Sequence, residues 1–130
     1  MPDPTRFETE WVDYFLRYAD ALRLPGLTLI VVLVPNKFTA YLPMIEGPAQ
    51  GDGAALLNGL EVRLRVQRIP TVNLTSVFRA RAGQALMSGH YLYWIDDTHW
   101  NAAGVDLAAA QVSGEIYALR AGGSSHRKSG

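Results

Sequence analysis

Cysteine is absent from the sequence, so disulfides and thiolate metal sites are excluded. That fits a cytoplasmic protein, or a periplasmic one that avoids thiols. A charge excess of either sign is also missing: 12 basic side chains balance 12 acidic ones. No basic stripe points to nucleic acid, and the one positive cluster is the tail His126-Arg127-Lys128. Long apolar runs are lacking too. The longest, Leu27 to Val34, is too short to cross a bilayer, and Met1-Pro2-Asp3-Pro4 has neither the basic start nor the apolar run of a signal peptide. What is present is ample apolar material. Hydrophobic residues make up 48% of 130 positions and charged residues 18%, a balance that supports one folded domain with a modest core.

Periodicity gives the outline of that domain. Phe7, Trp11, Phe15, Ala19 and Leu22 recur at helical spacing within Thr5 to Leu24, and Pro25-Gly26 ends the run. Such a stripe predicts a core-facing helix. Leu27 to Val34, leucine-rich and β-branched, predicts a parallel strand buried on both faces, stopped by Pro35. Pro43 to Gly53 is a Gly- and Pro-rich surface loop without the spacing of a phosphate-binding loop. Ala54 to Arg68 predicts a second helix, with Leu56, Leu57, Leu60 and Leu64 inward and Arg63, Arg65 and Arg68 solvated. A short strand, Thr71 to Leu74, and a short helix, Ser76 to Ala82, come next. Tyr91 to Trp94 then reads as a further strand, and Ala102 to Arg120 as a last helix. That helix has an apolar stripe of Val105, Ala108, Ala109, Val112, Ile116 and Leu119, with Asn101 as its N-cap. Alternating strands and helices imply α/β architecture with a mainly parallel sheet in three layers. The expected domain covers 1–121, with 122–130 a flexible Gly/Ser tail.

Chemistry concentrates in one stretch, Tyr93-Trp94-Ile95-Asp96-Asp97-Thr98-His99-Trp100-Asn101. In extended backbone, residues two apart share a side, so the Asp97 carboxylate reaches the His99 imidazole. A carboxylate on one ring nitrogen fixes the tautomer and leaves the other nitrogen free to accept a proton. The same pattern also serves as a local hydrogen bond or a helix cap. His90 is the other imidazole in this region, but it stands at the far end of the expected strand, so no metal site is expected.

Three blocks carry a family resemblance. Tyr93-x-x-x-Asp97-Thr98-His99-Trp100-Asn101-x-x-Gly104 resembles the Asp-x-His-Trp block of the SGNH-hydrolase-like polysaccharide O-acetyltransferases, the family of the alginate O-acetylation proteins of bacterial periplasms. Val34-Pro35-Asn36-Lys37-Phe38-Thr39-Ala40-Tyr41 is similar to its Val-Pro-x-Lys-x-x-x-Tyr segment. Val72-Asn73-Leu74 stands where the family tends to have Val-Asp-Leu, with an amide in place of the acid.

The resemblance implies a flavodoxin-like (SGNH-hydrolase-like) fold and serine acyl transfer onto exopolysaccharide hydroxyls, as in alginate acetylation. Asp97 and His99 would be the catalytic acid and base, and Lys37, Tyr41, Tyr93 and Trp100 would contact substrate or shape its pocket. Neither cofactor nor metal is implied. The partners would be a polysaccharide acceptor and an acyl donor delivered by a membrane acyltransferase, in the periplasm. In this family a Gly-Asp-Ser turn carries the nucleophile downstream of the acid and base. No serine of this chain has that context, and Gly51-Asp52-Gly53 has glycine where the hydroxyl would be. The expectation is therefore the front part of a catalytic domain with an incomplete sheet, whose open edge favours self-association. The other expectation is a remnant or saccharide-binding module without chemistry.

Overall fold

Why the chain folds as it does is clearest at the ends of its elements. A computed structural model describes residues 3–45 and 53–126. Helix α1, Pro4–Arg23, begins where Asp3 accepts a hydrogen bond from the Thr5 amide at 3.0 Å. It stops at Gly26, whose φ of +74° lets the Leu27 amide turn back to the Leu22 carbonyl. Strand β1 is Val31–Leu33 and strand β2 is Thr71–Asn73. They pair in parallel, with Val31, Val32 and Leu33 opposite Thr71, Val72 and Asn73. Between them lie α2, Lys37–Tyr41, a 3-10 turn over Leu42–Met44, and α3, Ala54–Val66. Helices α4, Thr75–Met87, and α5, Ala102–His126, follow β2.

Alternation along β1 separates two cores. Val31 and Leu33 point to one face and join Val12 of α1 with Leu60 and Leu64 of α3. Val32 points to the other face and packs with Val72, Leu74, Phe78, Leu92, Tyr93 and Ala108. The sheet is thus sandwiched, as a three-layer α/β protein requires. Phe78 is wholly buried, and a phenylalanine side chain so placed contributes about 1.5–3 kcal/mol of transfer free energy. The chain is α/β with a small, incomplete parallel sheet, richer in helix than the sequence predicts.

Several expectations change. The apolar run from Leu27 is not buried throughout, since Leu27 and Val34 are exposed. It enters the sheet only at Val31, because its one neighbour among the described residues is three residues long and bounded by Pro70 and by α4. Tyr91 to Trp94 makes no strand of that sheet. A single antiparallel bridge joins Tyr93 to Trp100 instead. Helix α2, unforeseen, starts at Lys37 under an Asn36 cap. Helix α4 runs on through Gly83 to Met87, and α5 continues past Arg120 to His126, into the stretch expected as tail. The inward face of α5 is Gly104, Leu107, Ala108 and Val112, while Val105, Ile116 and Leu119 are exposed. Phe7 and Trp11 of the α1 stripe are also exposed, each at 40%.

Arg65 and Arg68 are exposed, as the sequence predicts, and Arg63 is half-buried. Arg63 also pairs with Glu8 and Arg65 donates to the Thr71 carbonyl, tying α3 to α1 and β2. Residues 46–52, including Gly51-Asp52, lie outside the described residues, as do 127–130. No helix among the described residues is long and apolar enough to cross a membrane.

Candidate active site

Three residues of the β1–α2 segment build the platform on which Asp97 and His99 sit. Pro35, buried shortly after β1, offers its carbonyl to the Tyr93 hydroxyl. Lys37, the first residue of α2, donates from Nζ to the carbonyls of Trp94 at 2.7 Å, Ile95 at 2.8 Å and Asp97 at 3.1 Å. Tyr41, at the end of α2, accepts the Leu92 amide on its hydroxyl at 3.0 Å. The Val-Pro-x-Lys-x-x-x-Tyr block and the Tyr-x-x-x-Asp-x-His-Trp block are therefore two sides of one contact. This contact lies at the carboxyl end of β1, the edge at which open parallel sheets place their ligands.

The second block is a tight hairpin-like loop rather than an extended strand. The Trp94 amide donates to the His99 carbonyl, and the Asn101 amide donates to the Leu92 carbonyl. Asn101 then opens α5: its side-chain oxygen accepts the Gly104 amide at 3.1 Å, while its amide group donates to the Tyr91 carbonyl at 2.7 Å. An asparagine cap at that position is what the sequence predicts.

Inside the loop, one oxygen of Asp97 does three things. Oδ1 accepts the amides of Thr98 at 2.6 Å and His99 at 3.2 Å, and it lies 2.7 Å from His99 Nδ1. The pair thus meets as the sequence predicts, but through a carboxylate-capped turn and not through strand geometry. The His99 side-chain hydrogen bond, first, then the His99 amide, hold the Asp97 carboxyl below its ordinary value of 3.8. An ionised carboxylate only accepts, so the ring proton sits on Nδ1. In the neutral imidazole Nε2 is then the nitrogen that can accept a proton, and the His99 side chain is 77% exposed.

Tyr93 is buried beneath this loop, with its ring edge-on to Tyr41 and Phe78. Burial, and to a lesser extent the Tyr41 phenol, push its hydroxyl up to about 12. Trp100 packs on Phe78 with ring centres 6.3 Å apart. As placed, Lys37, Tyr41, Tyr93 and Trp100 hold the loop from within and below, and every residue from Trp94 to His99 is exposed on its surface.

Asn73, standing where the family has an acid, accepts the Thr75 amide and hydroxyl and donates to Asn58 and Glu61, which starts α4. His90 lies elsewhere, on a groove of about 740 Å³ lined also by Ser88, Tyr91, Asp106 and Leu107. That groove includes neither Asp97 nor His99. Among the described residues no group of three metal-ligating side chains occurs.

A family model described as "SGNH hydrolase-like domain, acetyltransferase AlgX" matches residues 6–129. The chain belongs to that family. No curated protein and no solved structure matches it significantly. Membership of the SGNH hydrolase-like acetyltransferases gives Asp97 and His99 a context that spacing alone did not. The lock between the two blocks was not legible in the sequence, because the partners stand 51 to 60 positions apart.

Proposed function

We propose that this chain is the acid–base part of a serine O-acetyltransferase domain acting on exopolysaccharide hydroxyls, as in alginate acetylation. The observation that carries the reading is the 2.7 Å contact between Asp97 Oδ1 and His99 Nδ1, on an imidazole exposed to solvent. In this reading Nε2 takes the proton of a seryl hydroxyl as that oxygen attacks the acetyl carbonyl. It then returns the proton to the departing donor group. In the second half-reaction Nε2 takes the proton of the sugar hydroxyl and gives it back to the serine. Asp97 stays ionised throughout, orienting the ring and stabilising the imidazolium. The nucleophile this reading calls for is a serine on a Gly-Asp-Ser turn, a context that no serine of these 130 residues has.

Trp94 and Ile95, exposed beside the pair, offer an apolar wall to the acetyl group or sugar ring. The acyl donor is delivered by a membrane acyltransferase, and the setting is the periplasm. Strands β1 and β2 pair only with each other among the described residues, so a free backbone edge is available to a second copy.

The test is transfer of acetyl from a nitrophenyl ester to a polymannuronate oligosaccharide by the protein of the complete reading frame. Transfer that His99→Ala abolishes supports the reading; transfer that His99→Ala leaves intact overturns it. A second reading, a saccharide-binding module without turnover, is favoured by one feature. Asp97 caps its own turn through two backbone amides, a role that needs no chemistry. It predicts oligosaccharide binding with no His99-dependent turnover.

A further inference from the structure

We infer that Lys37 is the positioning residue of the Asp97–His99 pair: its ammonium sets the backbone of the loop whose side chains hold the imidazole tautomer. An ammonium carries three hydrogens and accepts nothing. Lys37 Nζ has three carbonyl partners within 3.1 Å, those of Trp94, Ile95 and Asp97, so each hydrogen has an acceptor. Three carbonyl dipoles aimed at one point repel one another unless a cation stands at the focus. Removing the cation therefore removes the reason for this loop conformation, as well as three bonds. One of the three bonds reaches the backbone of Asp97 itself.

Lys37 is in turn fixed from below. Asn36 caps α2 through the Thr39 amide at 2.7 Å, Thr39 and Ala40 are buried, and buried Pro35 receives the Tyr93 hydroxyl. The loop's own bonds leave part of it to Lys37. The Trp94–His99 and Asn101–Leu92 backbone bonds shut its base and Asp97 Oδ1 caps the Thr98 and His99 amides, while across the Ile95–Asp96 stretch the Asp97 amide reaches the Trp94 carbonyl only at 3.5 Å. Arginine cannot replace lysine here, since a planar guanidinium fork does not aim three hydrogens at converging carbonyls.

The inference deepens the acid–base reading of Asp97 and His99 and rests on it, but its test is made on the ring nitrogens rather than on turnover. The ¹⁵N shifts of the His99 imidazole report the tautomer in wild type, Lys37→Met and Lys37→Arg, with melting curves for each. Wild type is expected to be in the Nδ1–H form. Both variants are expected to melt as folded proteins in which that form has fallen below about one half, because the Nε2–H tautomer is then free to compete. A folded Lys37→Met protein that keeps His99 wholly in the Nδ1–H form overturns the inference.

Should that variant not fold, wild type decides alone. Lys37 and Lys128 are the two lysines of the sequence, so the ammonium signals are readily told apart. Couplings across the hydrogen bonds from Lys37 Nζ to the carbonyl carbons of residues 94, 95 and 97 support the inference. A Lys37 ammonium in rapid exchange with water and lacking those couplings overturns it. Wild type that shows the couplings and the Nδ1–H tautomer, yet transfers no acetyl group, counts against the acyl-transfer reading and not against this one.

Discussion

A β-carbon on Gly104 would run into the Leu92 carbonyl oxygen and stand 3.1 Å from the β-carbon of Trp100. The first turn of α5 is thus pressed directly on the base of the Asp97–His99 loop, at the residue whose amide Tyr41 holds. The obstacle is backbone and cannot swing aside. Gly104→Ala is expected to cost about 1–3 kcal/mol by overpacking, despite the better helix propensity of alanine. A thermal midpoint equal to wild type would show that α5 can shift without penalty.

Tyr93 gives a second prediction. Its hydroxyl donates to the carbonyl of buried Pro35, and Tyr93→Phe leaves that carbonyl without this partner, at a cost of about 1–3 kcal/mol. The pH dependence has a definite sign. Folding raises the phenol from 10.0 to about 12, so the fold binds this proton more tightly than the unfolded chain. The associated stability is complete below pH 10 and falls as pH rises toward 12. Denaturant titrations on either side of the unfolded value, at about pH 9 and about pH 11, should show a larger loss for wild type than for Tyr93→Phe. Equal losses would refute the assignment.

Asp97 titrates in the opposite sense. Its carboxyl is lowered on folding, mainly by the His99 side chain, so its contribution is present above 3.8 and disappears as pH falls through the lower folded value. The Asp97 carboxyl ¹³C shift is expected to titrate with a midpoint below 3.8 in wild type, and closer to 3.8 in His99→Ala. Identical midpoints would mean that the backbone amides, not the imidazole, set the value.

Local signals in the sequence read well, and long-range ones did not. The Asp97–His99 contact and the Asn101 cap each lie within three residues, and side-chain chemistry at that range is decided by the chain itself. The loop shape was misjudged because Tyr91, Tyr93 and Trp94 have the composition of a strand. The backbone of this stretch instead pairs with His99 and Asn101 a few residues on, closing a hairpin before any sheet is reached. Helix α2 escaped notice because five residues show no period. The roles of Lys37, Tyr41 and Tyr93 depend on which distant segment the fold brings to β1, and nothing in the spacing of either block states that they meet.

Asp97→Asn separates the two tasks of that side chain. The substituted amide keeps an oxygen at Oδ1, so it can still accept the Thr98 and His99 amides that shape the turn. It lacks the charge that stabilises an imidazolium, and it can present its NH₂ to the ring and draw the proton to the wrong nitrogen. The variant is therefore expected to keep the turn and stay folded, losing only the charge-dependent part of the Asp97 contribution, while acetyl transfer by the complete protein falls by about 10²–10⁴-fold. Asp97→Ala should lose both the turn and the rate. Undiminished transfer by the Asp97→Asn protein would mean that the carboxylate serves the turn alone and takes no part in the acid–base chemistry.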